Sequence, residues 1–324
     1  MASAAGSERS AAPAALDVEY AAGDDAEDHR FRFTAMASPC EVRLAGLPRA
    51  LATAHAEIAI AEVRRIEHKY SRYRPDSIVS RINAAAGSGA AVEVDAETSQ
   101  LLDFTAQLHA LGEGRFDITS GVLRRAWDFR SARIPTPDAL AEAVAQIGWP
   151  RVQRTPETVV LPDAGMEIDF GGFGKEYAAD RAAALLERDG AASGIVNLGG
   201  DLRVLGPRPD GSAWSIGIQH PRAPGRTVAS IRLARGALAT SGDYERFFEV
   251  DGKRYCHILN PATGWPVQGW QSISVVAPLC VAAGAMSTIA LLHEDAAPAF
   301  LAGQQVAWLG VDRDGDVIRH GLPA

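Results

Sequence analysis

Apolar positions recur at helical spacing in ALATAHAEIAIAEVRRIEHKYS, where Ile58, Ile60, Val63 and Ile66 mark the pattern. Pro75 in SRYRPDS stops that helix, because proline cannot continue the backbone hydrogen bonding. SIVSRINAAAGSG reads as a short helix and a turn. DAETSQLLDFTAQLHALGEG reads as a second long helix, with an acidic first turn and Gly112 and Gly114 at its end. A further helix is predicted at about 137–147, after Pro135 and Pro137. KEYAADRAAALLERDG is helical and closes on Gly190, and VAAGAMSTIALLHE is a helix of small residues.

Strand patterns fill most of the remaining chain. FRFTAMASPCEVRLAG holds two short runs broken at Ser38-Pro39, and VVLPDAGMEIDF suggests a hairpin. GIVNLGGDLRVLG reads as a strand with a glycine bend. AWSIGIQHP, ASIRLARGALATSG, YERFFEVDGKRYCHILNP and QSISVVAP are further strands, with a hairpin turn at VDGKR. Helices and strands alternate irregularly and no fixed repeat appears, so the expected class is α+β. Residues 1–30, rich in Ala, Ser and acids without periodicity, are expected to form a mobile tail before a folded unit at about 31–322.

Composition narrows the function. The chain has 324 residues, 47% of them hydrophobic, enough for a large core. A net charge of −8 with scattered Lys and Arg argues against nucleic acid and anionic membrane surfaces as partners. No stretch reaches the roughly 18–20 apolar residues of a membrane span, and the first residues lack a secretory pattern, so a cytoplasmic protein is expected. Cys40, Cys256 and Cys280 are too widely spaced for a metal knuckle and suit a reduced compartment or core packing.

Chemistry concentrates in a few turns. DFGGFGKEYAADR, residues 169–181, sets glycines and Lys175 at the start of a helix. That combination suits a phosphate, through close backbone N–H groups, the helix dipole and a full positive charge; it equally suits a tight strand-to-helix turn with a surface lysine. It matches neither the Walker loop nor the dinucleotide fingerprint. Ser241, Gly242, Asp243 and Tyr244 cluster after an apolar strand. His257 lies in an apolar run, as a catalytic group or as a satisfied core histidine. Asp117 and Thr119 in GRFDITSG follow a glycine, in a site or in an ordinary Asx turn.

Six segments together carry a resemblance: SRYRPDSIVSRIN, GEGRFDITSGVLRRAWDF, IDFGGFGKEYAADRAA, VNLGGDLRVLG, ATSGDYERFFEVDGKRYCHILNPATGWPV and SISVVAP. Their order and spacing resemble the ApbE family of FAD:protein FMN transferases, from about Met36 to His293. The resemblance implies two intimately packed lobes with mixed or antiparallel sheets flanked by helices. It implies FAD as substrate, Mg²⁺ as metal, AMP as leaving group and a threonine on a target flavoprotein as acceptor. It places Met36, Tyr73, Arg115, Phe116, Asp117, Asp169, Lys175 and Ile258 around FAD, with His257 and Asp243 as catalytic candidates. The metal would take the Gly172 carbonyl and groups at 284, 287 and 288.

The chain departs from the family at two positions. The last family motif carries an aspartate four residues before its threonine; here Gly284 precedes Thr288, and Ser287 offers a neutral oxygen. Glu176 stands where relatives carry glycine, either as a replacement carboxylate or as an exposed acid in a helix's first turn. With Gly284 in place, Mg²⁺ is expected to bind only beside FAD, and Gly284→Asp to strengthen it. Three functions follow in order: FMN transfer, catalytically impaired FAD binding, and hydrolysis of FAD to FMN and AMP.

Overall fold

The structure, a computed structural model, describes residues 18–23 and 27–322. Strands β1 (Glu19–Ala22), β2 (Asp28–Ala35) and β3 (Ser38–Ala45) open the chain. Then come α1 (Arg49–Tyr70), α2 (Ile78–Ala84), the short β4 (Val92–Glu93) and α3 (Ala96–Leu111). A 3-10 helix over Ile118–Arg125 leads to α4 (Pro137–Ala145), β5 (Gln153–Arg154) and β6 (Thr158–Val160). Next are α5 (Gly174–Arg188), β7 (Gly194–Leu198), β8 (Asp201–Gly206), β9 (Trp214–Gln219), β10 (Thr227–Leu233) and β11 (Gly236–Gly242). The chain closes with β12 (Phe247–Val250), β13 (Lys253–Cys256), β14 (Trp270–Ala277), α6 (Cys280–Leu292), α7 (Ala297–Gln304), β15 (Ala307–Asp312) and β16 (Val317–His320).

One nine-stranded sheet organises the molecule, in the order β1-β2-β3-β7-β8-β11-β14-β15-β16. Its pairings are antiparallel throughout. Both faces of its centre are covered, and the period-two alternation of strands decides what each residue meets. On β11, Ala239 packs with α6 and α7 while Leu238 faces the β9–β10 hairpin. On β15, Trp308 and Leu309 divide in the same way. The result is a layer of helices, a sheet and an outer hairpin: an α+β fold. The largest core draws residues from Phe31 to Leu292, so no single cut along the chain separates two cores. No helix among the described residues is long and apolar enough to cross a membrane.

Local rules explain most helix ends. Asp95 caps α3 by accepting the Thr98 N–H at 2.9 Å, and Thr136 caps α4 ahead of Pro137. The three cysteines are free and buried.

Four expectations are corrected. The described fold begins before Phe31: β1 pairs with β2, and Tyr20 packs on Phe31. Residues 1–17 and 24–26 of the expected tail lie outside the described residues. The break between the first two strands is Met36-Ala37, both at positive φ, while Pro39 lies inside β3 opposite Thr34. VVLPDAGMEIDF forms no hairpin. Its apolar residues Leu161, Met166 and Ile168 are buried, but the Ile168 backbone is bonded by the Asn83 side chain at 2.7 and 3.0 Å instead of by a strand. The glycine bend in GIVNLGGDLRVLG is a full reversal, a β7–β8 hairpin turning at Gly199-Gly200.

Candidate active site at the start of helix α5

The segment before α5 is pinned from below. Phe170 and Phe173 are buried, and a Cβ at Gly172 would stand 3.0 Å from the buried Phe116 ring. Asp169 accepts the Gly171 N–H at 3.0 Å and pairs with Arg72. Arg72 in turn donates to the Tyr73 hydroxyl at 2.8 Å and lies over its ring, leaving Tyr73 74% exposed. Gly171 and Gly172 are exposed, and no side chain caps α5. The Phe170 carbonyl takes the Gly174 N–H at 2.7 Å, so this end offers an anion the positive end of the dipole and the amides that follow Gly174.

Lys175 crosses this end. Its Nζ donates to Asp201 Oδ2 at 2.8 Å, and Asp201 Oδ1 accepts the Thr240 N–H at 3.2 Å. Burial alone would lower the lysine pKa, but the carboxylates of Asp201 and Glu176 outweigh it and hold the pKa above the usual range. The ammonium is thus permanently charged and tied to β8 and β11. A Cβ at Gly199 would come 2.9 Å from Ser38 Cβ and 3.5 Å from Lys175 Nζ, so the β2–β3 and β7–β8 turns both close on the lysine. Met36 belongs to the first of these turns, its N–H donating to Glu67 at 2.6 Å. Its positive φ is a strained conformation for a side-chain-bearing residue, held by that bond and by the tight hairpin.

Helix α6 supplies the opposite wall. Ser241, at the end of β11, has its hydroxyl 2.8 Å from those of both Ser287 and Thr288. Ser287 also donates to the Gly284 carbonyl at 3.0 Å. Gly284 itself is buried against Glu176: a Cβ there would lie 2.5 Å from Glu176 Oε1 and 2.6 Å from Cγ. The exposed reading of Glu176 is therefore corrected. Its side chain is buried, with Oε2 lacking any hydrogen-bond partner among the described residues. Burial, reinforced by Asp201 and opposed by Lys175, pushes its pKa above the usual carboxylate range. A side chain at 284 would require the Glu176 carboxylate to move.

The other predicted residues divide clearly. Asp117 is buried and consumed internally: it accepts from the Thr119 N–H and hydroxyl at 2.7 and 2.6 Å and from the Trp149 N–H at 2.9 Å. Its carboxylate shapes the loop, while Arg115 pairs with Glu113 at the surface. Asp243 is gripped by both terminal nitrogens of Arg222, at 2.6 Å each. His257 is no satisfied core histidine. Its ring reaches solvent, yet surrounding protein and the charges of Arg246 and Lys175 hold its pKa below the ordinary value. Ile258 packs between the two cores beside the site.

Sequence reasoning passed over Asp201 and Arg72, the partners that fix Lys175 and Asp169. Their signals were an acid directly after the Gly199-Gly200 turn and an arginine inside SRYRPDS. Among the described residues no three His, Cys, Asp or Glu side chains gather for a metal. Hydroxyls, the Gly172 carbonyl and one buried carboxylate are nonetheless the hard oxygen donors that Mg²⁺ prefers.

The profile of the ApbE family matches residues 36–309. The chain belongs to the ApbE family. Among relatives, the FAD:protein FMN transferase of Haemophilus influenzae is 32% identical over 257 residues, covering 75% of this chain and 73% of that one. The Treponema pallidum FAD:protein FMN transferase is 34% identical over 269 residues, covering 77% and 74%. The crystal structure of the ApbE protein from Thermotoga maritima superposes with a TM-score of 0.84 at 31% identity, covering 91% of this chain and 97% of that one. Within the ApbE fold, then, this chain sets Glu176 and Gly284 face to face.

That contact makes a testable energetic statement. Gly284→Ala should destabilise the protein by about 1–3 kcal/mol in urea unfolding, the usual cost of overpacking a tight site. In the Glu176→Gly background the same change should be close to neutral, the coupling being read as a double-mutant cycle. Equal costs in both backgrounds would show that the two positions do not touch.

Proposed function

We propose that the protein is an FAD:protein FMN transferase. A threonine oxygen of a target flavoprotein attacks the FMN-side phosphorus of FAD, the pyrophosphate P–O bond breaks, and AMP leaves. The observation that carries this reading is the uncapped start of α5 with Lys175 locked across it by Asp201. This is a site for a charged, oxygen-rich group, in a chain whose relatives bear this name.

The residues divide the work by their chemistry. Lys175 and the first-turn amides of α5 balance the two negative charges of the pyrophosphate and the further charge that develops as phosphorus is attacked. Tyr73, Met36 and the Phe116 loop flank the nucleotide, with the exposed Tyr73 ring held by Arg72. His257, neutral at pH 7, is the group to take the threonine proton. Asp243, held by Arg222, positions the strand end instead. Gly172, Ser287, Thr288 and a carboxylate would hold Mg²⁺, which when bound supplies charge neutralisation at the phosphates. The partner is a flavoprotein that presents a threonine in an exposed segment.

The reading as an impaired FAD binder rested on the missing acid at 284. It loses its motive, because a carboxylate oxygen stands within 2.5 Å of where that side chain would begin. Incubation with FAD, Mg²⁺ and a threonine-bearing flavoprotein domain should yield covalent flavin, fluorescent in a denaturing gel, with AMP released one for one. AMP without labelled acceptor would assign hydrolysis; neither product would reject catalysis. Lys175→Ala should weaken FAD binding by about 1.5–3 kcal/mol, the value of a charge-assisted hydrogen bond, in a calorimetric titration. Unchanged affinity would place the phosphates elsewhere.

A further inference from the structure

The two departures from the ApbE pattern are far apart in the sequence and adjacent in space. Glu176 comes from the first turn of α5 and Gly284 from the second turn of α6. The absent side chain at 284 leaves a hole of the size that the Glu176 carboxylate fills, with Oε1 at 2.5 Å, Cγ at 2.6 Å and Cδ at 2.8 Å from the missing Cβ. A side chain at 284 would displace the Glu176 carboxylate, and a glycine at 176 would leave an empty space beside Gly284.

The filling group is not an inert one. Leucine or methionine would occupy the same space without the cost of desolvating a carboxylate, a cost that a buried acid recovers only through a partner. Glu176 is only partly satisfied: Oε2 is unbonded among the described residues, and the nearby Lys175 ammonium is already engaged by Asp201. Gly284 lies one turn before Thr288 on α6, so the face that presents Glu176 also presents the Thr288 hydroxyl. Ser241 links that hydroxyl to Ser287. A carboxylate oxygen without a partner, beside a row of hydroxyls and behind an anion-binding helix end, lacks one thing: a hard cation.

We infer that Glu176 is the anionic ligand of the divalent cation in this protein, the carboxylate having moved from α6 to α5 by the paired exchange at 176 and 284. The inference rests on the transferase reading for the purpose of the metal, but it concerns which residue holds the cation and is tested by binding alone. The exchange keeps one negative charge in the site and alters only the helix that carries it. The cation consequently ties the start of α5, and with it Lys175, to the same ion that the α6 hydroxyls meet.

The test uses Mn²⁺ as the probe, followed by electron paramagnetic resonance of the free ion, on the full chain with FAD bound. Glu176→Gln keeps the shape and removes the charge. It should lower Mn²⁺ affinity at least tenfold, on the order of what the loss of even an outer-shell partner costs. The double variant Glu176→Gly with Gly284→Asp restores the family arrangement and should recover Mn²⁺ binding. Unchanged Mn²⁺ affinity in Glu176→Gln would overturn the inference, as would a folded double variant that fails to bind the ion. If Glu176→Gln does not fold, the double variant decides. Normal Mn²⁺ binding in a wild-type protein that labels no acceptor would remove the transferase reading and leave this inference standing.

Discussion

Glu176 can occupy the start of α5 only because residue 284 has no side chain. That steric condition sets how α5 and α6 meet, and their meeting determines the rest of the site. It brings the start of α5 against α6, while Lys175 pairs with Asp201 on β8. A side chain at 284 would push the Glu176 carboxylate out of its present place.

The sheet supplies the precision that helices alone would not. Its centre is covered on both faces, so β8 and β11 are held rigidly where Asp201 and Ser241 emerge. Two hairpin turns from the same sheet close around Lys175. One uses Gly199 and Gly200, for which positive φ carries no steric penalty; the other uses Met36 and Ala37, for which it does. The Met36 bond to Glu67 secures these strained residues. The aromatic shelf of Phe116, Phe170 and Phe173 does the same for the backbone before α5.

Much of this was legible in the chain, and the failures have physical causes. α1, α3, α5 and α6 follow from apolar spacing because their buried stripes are long. Residues 161–168 looked like a strand because Met166 and Ile168 alternate with polar residues, yet a side chain, Asn83, satisfies the backbone that a ladder would have used. Met36-Ala37 carries none of the Asn-Gly chemistry of a tight turn, so Pro39 drew the break instead. Glu176 looked like a surface acid by residue type alone. Its position argued otherwise: counting back by helical steps from Leu186 through Ala183 and Ala179 arrives at 176, on the buried stripe. Asp243 could not be discounted from sequence because its partner, Arg222, lies 21 residues upstream in a separate loop.

The central claim is that one carboxylate, relocated between helices, completes an otherwise neutral oxygen site. Crystals grown with FAD and Mn²⁺ test it most directly, through the anomalous scattering of the ion. The account predicts a single peak at about 2.1 Å, an ordinary hard-cation distance, from a Glu176 carboxylate oxygen, with the Thr288 hydroxyl and FAD phosphate oxygens in the same shell. A peak held by phosphates and hydroxyls alone, with Glu176 outside coordination distance, would contradict it.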